Sequence, residues 1–580
     1  MHGLLFRGVF LVAFATLLLE VALIRVLSFT IWYHFAYVVI ATSLLGYGAS
    51  GSLVSVYPRI GARDLSATLG RCSLLAAATS AGVLALISLL PFDPMEVTRS
   101  PTQGLLFLGY QVAVILPFFF SGLAISLALR AVPERVDRLY FWDLCGAGLG
   151  CAMAIFLMNA ISPPGAVLIA SAGFASAAVL FRPDRRLVSL GLTAALIVGA
   201  ISGARIPFTP AASKHLIPQF RFWEPTFTRW TALFRTDLLE DRGAGPRIGQ
   251  ESEWGLSPTF PDRVRMPSRV INHDASASTW AYDLRSRPTL DFLDHHIISL
   301  PYLVTAPNPH VLVIGVGGGR DVIAAIQYEA SHVTGVELDP VTIDLIRDHL
   351  GDVSNGFFRD PKISLVAGEG RHFAKTANDR FDLIQLTGVD TLSAEFSGAY
   401  VLAENYLYTV EAFHDFFDRL TPGGVLSFAT GNLSPDQPRA AARIVSVAQQ
   451  ALRERGVNRP ENHIAVIDSR KVYVAILIRT APFPKTRCSD SKTAPGSSDS
   501  SPWRSPGGED TPCSMRLLRL REAHVRSCWR NFPSKSMLRR TIDRFSFAST
   551  AGVRCSTRGR SGRRRPRPSV SSCWCSFSSP

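Results

Sequence analysis

The sequence predicts an all-α transmembrane bundle followed by an α/β domain, a doubly wound and mostly parallel sheet with a β-hairpin region at its N-terminal side. Three observations carry this. Long apolar runs fill residues 1–204. From 310 to 478, strand-like apolar runs alternate with helical stretches, the pattern of a parallel sheet covered on both faces. The excess positive charge lies outside both regions. Of 60 Lys+Arg and 46 Asp+Glu in 580 residues, positions 481–580 hold 20 and 6, so residues 1–480 are neutral overall. A basic nucleic-acid binder is therefore not expected from the folded part, and nucleic acid is not an expected partner.

The candidate spans are 8–29, 35–57, 71–91, 104–130, 141–161, 164–181 and 187–204, several near the roughly 20 apolar residues that cross a hydrocarbon core. A cleaved signal would explain only the first. The expectation is a multi-pass protein of a cell (bacterial inner) membrane, with the bilayer as partner. Arg59, Arg63 and Arg71, then Arg130, Arg135 and Arg138, then Arg182, Arg185 and Arg186 mark three connections as cytoplasmic. Seven spans would then put residue 205 onward on the opposite side. A cytosolic cofactor argues for a cytoplasmic domain, and the span count is the element expected to give way. Glu20, Arg25 and Asp143 read as structural ion pairs or interfacial locks, and the small residues at 45–52 and 145–150 as sites of close helix packing.

Residues 205–290 read as a connecting segment, polar, aromatic and Pro-containing, in which 269–274 and 279–283 form a hairpin and 241–268 a loop. The adjacent His295 and His296 point in different directions on a helix and have no third ligand nearby, so no metal is expected.

Residues 310–319 are an apolar strand ending in Gly315, Gly317, Gly318 and Gly319, and a helix opens at Arg320-Asp321. Such a unit lets backbone approach a nucleotide with a helix N-terminus behind it. A second strand, 332–339, ends in Glu337, 22 residues after Gly315, where a carboxylate can accept from both ribose hydroxyls. The third, 363–366, runs into Gly368-Glu369-Gly370, placing an acid near an adenine edge. The fourth, 381–386, leads to Thr387 and Asp390, and 420–426 turns into a fifth. Together these favour a nucleoside cofactor. Positions 315, 317 and 320 read Gly, Gly, Arg, which disfavours a dinucleotide.

On these residues, 291–480 resembles the S-adenosylmethionine-type (class I methyltransferase-type) Rossmann-like domain and, within it, the spermidine synthase (polyamine aminopropyltransferase) branch. The matching pieces are 311–319, 336–340, 368–371, 381–384 and 420–424. Residues 19–28 are similar to the multi-pass segment of bacterial membrane-bound spermidine synthase-like proteins. The resemblance implies a transferase for which S-adenosylmethionine or its decarboxylated form is the co-substrate, without a metal. Gly315, Gly317, Gly318 and Gly319 would line it, Glu337 would hold its ribose and Glu369 its adenine. The soluble enzymes carry an Asp where Gly318 stands and a catalytic Asp where Thr387 stands, which leaves Asp390 as the expected catalytic carboxylate. The implied reaction is aminopropyl transfer to a small amine, with a homodimer left open. Methyl transfer to a membrane-associated acceptor, and a transporter or sensor that binds a nucleoside without turnover, are the alternatives.

After 478 periodicity stops. Residues 481–580 are rich in Ser, Arg and Pro and hold six of the nine cysteines without recurrent spacing. This reads as translation in a shifted frame, or as a disordered basic tail.

Overall fold

Seven apolar runs fold as seven helices that alternate in direction: α1 (His2–Thr30), α2 (Ala36–Val56), α3 (Leu65–Leu89), α4 (Pro101–Ala131), α5 (Val136–Ile161), α6 (Pro163–Phe181) and α7 (Arg186–Ile201). The computed structural model describes residues 2–32, 36–61, 64–182, 186–214, 223–240, 247–248, 255–257, 264–265, 268–285, 287–389, 406–431, 439–469 and 473–483. Six of the helices are long and apolar enough to cross a membrane; α7 is a shorter apolar helix of 16 residues.

Missing side chains set how closely the helices approach. A Cβ on Gly146 would lie 2.3 Å from the Phe10 carbonyl oxygen, and one on Gly150 2.4 Å from that of Phe14, so α1 and α5 pack backbone to backbone. Between α2 and α4, Gly46 meets the backbone of Phe119 and Ile115, and Gly122 the side chains of Ser50 and Tyr47. The outer faces leave Leu105, Phe156 and Leu187 exposed, as a lipid-facing surface would.

The arginine-bearing connections gather at one end of the bundle. There Arg130 Nη2 donates to the Ile60 carbonyl at 2.8 Å, and the Ser66 hydroxyl donates to the Phe181 carbonyl. The rest of the chain leaves from the other end. The Ala211 N–H donates to the Thr30 carbonyl at 2.7 Å, Ser213 binds Asp93, and the Ala232 N–H donates to Asn159 Oδ1 at 2.8 Å. α7 runs back along α6 until Gly203 lies against Gly165, and six helices, one fewer than the seven expected spans, have the length and hydropathy to cross a membrane.

The connecting segment is more ordered than a single hairpin. β1 (Glu224–Trp230), β2 (Arg235–Glu240), β5 (Ser268–His273) and β6 (Ala277–Tyr282) form one antiparallel sheet in that order, and β3 (Arg247–Ile248) pairs with β4 (Val264–Arg265) beside it. Pro225, near the start of β1, is tolerated because β1 is an edge strand.

The second sheet has seven strands: β7 (His310–Ile314), β8 (His332–Glu337), β9 (Ile363–Ala367), β10 (Phe381–Thr387), β11 (Leu420–Gly431), β12 (Ile464–Asp468) and β13 (Tyr473–Arg479). Their order is β12-β13-β11-β10-β7-β8-β9, with β11, β10, β7, β8 and β9 parallel and the β13–β12 edge antiparallel. Strand β7 explains its own burial. Val311 and Val313 enter the core that faces β6 and α8 (Arg320–Gln327), whereas Leu312 and Ile314 enter the opposite core with Phe413, Phe416 and Leu452. Those last residues come from α12 (Val410–Arg419) and α13 (Arg439–Glu454). Between lie α9 (Pro340–Asp344), α10 (Gly351–Ser354) and α11 (Gly370–Thr376). A strand covered on both faces needs an unbroken apolar run, which β7 has.

Candidate functional site

Sequential strands run outward in both directions from the β7–β10 pair, so the strand order reverses there. In open α/β sheets ligands bind in the crevice at the carboxyl ends of such a pair. Gly315 follows β7 directly, and Thr387 ends β10.

The loop after β7 turns through positive φ at Gly315 (80°), Gly317 (52°) and Gly319 (88°), the left-handed region where a Cβ is strained. Gly319 caps α8 in that conformation. One oxygen of the Glu337 carboxylate accepts from the Gly317 N–H at 2.9 Å, the other from the Asp339 N–H at 3.1 Å. The structure thus brings Glu337, 8% exposed, onto the glycine loop, as its strand-end position predicts.

Gly318 packs against the first sheet. A Cβ there would lie 1.8 Å from the Trp280 carbonyl oxygen, and its N–H donates to Thr279 Oγ1 at 3.0 Å. It is the point where the loop closes on β6, and Gly317 also faces this sheet, at Thr279. Gly315 packs towards Val389 and Gly319 towards Phe358.

Glu369 is exposed and caps α11, accepting from the Arg371 N–H at 2.9 Å and the His372 N–H at 2.7 Å. It stands one residue beyond Gly368, whose N–H donates to the Glu337 carbonyl, so the two acids end neighbouring strands. Asp390 lies outside the described residues.

Beneath Glu337 sits a polar cluster that the sequence did not single out. Asp339 is fully buried. It accepts from Thr236 Oγ1 at 2.6 Å and from Thr342 Oγ1 at 3.2 Å, and lies 3.4 Å from His273 Nε2. Burial alone would raise the Asp339 carboxyl, but the His273 and Thr236 hydrogen bonds and the imidazole charge bring it below its ordinary value. Burial pulls the His273 imidazole down, yet the Asp339 hydrogen bond and the charges of Glu337, Asp339 and Asp274 hold it above its ordinary value. A second unforeseen pair joins Thr387 to Asp321, at 2.6 Å. Asp321 was visible in the sequence only as a first-turn helix acid.

Around this site, His296 caps the helical turn Ile297–Leu303 through Nδ1, and its Nε2 lies 3.4 Å from Arg320. Among the described residues no group of three or more His, Cys, Asp or Glu is placed to hold a metal ion.

Residues 291–455 match the family described as Spermine/spermidine synthase domain, which bears out the resemblance over that stretch. The chain is 31% identical over 101 residues to the polyamine aminopropyltransferase of Korarchaeum cryptofilum, covering 17% of this chain and 32% of the relative. It is 30% identical over 143 residues to that of Sulfolobus acidocaldarius, covering 24% and 45%. The chain thus spans about a third to a half of these relatives' length. Among solved structures it is similar to the spermidine synthase of Thermotoga maritima at 15% identity, over 45% of this chain and 74% of that one, with a TM-score of 0.30.

Proposed function

We propose that the spermine/spermidine synthase domain of this chain is a membrane-tethered transferase that moves an aminopropyl group from decarboxylated S-adenosylmethionine to a small amine. The observation that carries the reading is Glu337, held by the Gly317 and Asp339 N–H groups at the point where the strand order reverses. A carboxylate fixed in that way presents its remaining lone pairs to a ribose without reorganising. The match of residues 291–455 supports polyamine chemistry among nucleoside-dependent reactions.

In this reading Gly315 and Gly317 let the backbone approach the nucleoside, Glu337 holds its ribose, and Glu369 stands at the adenine side. Asp390, three residues after Thr387 in sequence, would meet the amine. The sulfonium of the donor is its own leaving-group activation, so the domain needs to orient a neutral amine and to take one proton. The seven-helix bundle tethers the domain to the bilayer of a cell membrane, and the reading requires donor and acceptor on the face where the domain sits.

The test is product analysis. Purified full-length protein in detergent is given decarboxylated S-adenosylmethionine or S-adenosylmethionine with a mixture of amines. Release of 5′-methylthioadenosine matched by an aminopropylated amine supports the proposal. S-adenosylhomocysteine would make the chain a methyltransferase. A nucleoside-binding sensor or transporter is favoured by one observation, the direct ion pair of Arg25 in α1 with Asp274; it predicts nucleoside binding with neither thioether.

A further inference from the structure

Asp321 is the second residue of α8 and only 4% exposed, yet it sits at the ligand end of the sheet. Its Oδ1 accepts from Thr387 Oγ1 at 2.6 Å. Thr387 is half-buried and ends β10, on the opposite side of the β7–β10 crevice from the glycine loop. The hydrogen bond therefore spans the place where a ligand is expected.

An acid in the first turn of a helix is favourable in itself, but an exposed one serves that purpose without desolvation. Burial pushes the Asp321 carboxyl up, against the lowering pull of the Arg320 charge and the Thr387 hydrogen bond. The groups facing it are Arg320 on its own helix and Tyr302 from the turn Ile297–Leu303. Tyr302 donates to Gln385 Oε1 at 2.9 Å and stacks on Tyr328, so its ring is fixed. A carboxylate kept from water but tied to one hydroxyl is poised to accept a proton through that hydroxyl. Because Thr387 spends its own proton on Asp321, its lone pairs remain for an incoming N–H.

We propose that Thr387 and Asp321 form a two-residue proton relay for the acceptor amine: Thr387 touches the amine, and Asp321 is the positioning residue behind it that takes the proton. The proposal rests on the transferase reading above. The lone pair of the neutral amine attacks the CH2 bound to the sulfonium. The C–N bond forms and the C–S bond breaks, its electron pair leaving on sulfur as a neutral thioether. The new ammonium passes a proton to Thr387 Oγ1 while the Thr387 proton moves to ionised Asp321. Charge and atoms balance without another reactant.

The experiment measures thioether release, and separately 5′-methylthioadenosine binding, for the wild-type full chain, Asp321→Asn, Thr387→Val and Thr387→Ser over a range of pH. The relay predicts that Asp321→Asn and Thr387→Val lose about 100-fold or more in kcat. Nucleoside affinity should stay within about threefold, since no binding group is removed. Thr387→Ser should recover most of the rate. The acid limb of the wild-type pH profile, where Asp321 becomes protonated, should vanish in Asp321→Asn. Thr387→Val leaves the buried acid in place, so it still reads the relay if Asp321→Asn fails to fold. An active wild type whose variants keep its rate and its acid limb overturns the relay alone. A wild type that binds the nucleoside but releases no thioether overturns the transferase reading and the relay with it.

Discussion

Arg25 Nη2 lies 2.6 Å from Asp274 Oδ1, an ion pair between the first helix of the bundle and the turn that joins β5 to β6. The guanidinium also sits over the Trp230 ring, 5.5 Å from its centroid, and Asp274 accepts from the Arg235 N–H at 2.9 Å. His273, the next residue back, reaches Asp339, and the Asp339 N–H binds Glu337. A short run of contacts therefore links the bundle to the carboxylate that faces the crevice.

With side chains 7% and 17% exposed, this pair should not be broken from one side. Removing one partner of a buried ion pair costs about 3–5 kcal/mol. Arg25→Met or Asp274→Asn should each lower the thermal midpoint in detergent, and the double variant should recover part of the loss, as coupled neighbours do. Additive losses would mean the two residues are not coupled.

The His273–Asp339 contact predicts a pH window. His273 is raised above its unfolded value near 6.5, so its contribution is full below about 6.5 and lost as pH rises through the folded value. Asp339 is lowered, so its contribution is present above about 3.9 and lost as pH falls through the folded value. The stability difference between wild type and His273→Gln should therefore be largest between about pH 4 and 6.5 and shrink on the alkaline side. A difference independent of pH would contradict the ion pair.

Gly318 is the position at which the family resemblance implies an Asp, and introducing that acid should fail. Its Cβ would meet backbone, the Trp280 carbonyl at 1.8 Å, which cannot rotate away. Gly318→Asp should cost about 3 kcal/mol or more. Unchanged melting would show that the loop does not close on β6 as described.

The bundle makes a prediction about sidedness. Arg59, Arg130, Arg135 and Arg182 mark the end opposite to the one where Ala211, Ala232 and Asp274 dock. The positive-inside rule would put the arginine end in the cytoplasm and the domain on the far face, whereas the transferase reading, with its cytosolic donor, requires the domain on the cytoplasmic face. Cysteines introduced at Gly61 and at Gly456 should label from opposite sides of sealed vesicles, the second from the cytoplasmic side. Labelling from one side would refute the docking of the domain on that end.

Much of this architecture was legible in the sequence because two periodicities are strong. Each of the seven apolar runs became a helix, and the strands ending in Ile314, Glu337 and Thr387 end where the run of apolar residues gives way to Gly or acid. The placement of Glu337 followed from its distance to Gly315. Strands β1 and β2 were not legible, since polar residues interleave with apolar ones there and β2 pairs on one side with the remote β5. The polar pairs were hidden for a similar reason. Thr387 and Asp321 are 66 positions apart, and Asp339 and Thr236 are 103 apart, so only the fold brings them together. The approach of β6 to Gly318 was likewise not legible in the sequence.

Calorimetric titration of the full chain with 5′-methylthioadenosine probes the nucleoside site built on Glu337 and the glycine loop. The wild type should bind, and Glu337→Gln, which keeps the shape but loses the charge, should bind about 10-fold or more weakly, the worth of one hydrogen bond to a charged group. Equal affinity in the two, or no binding by a wild type that melts cooperatively, would contradict the account.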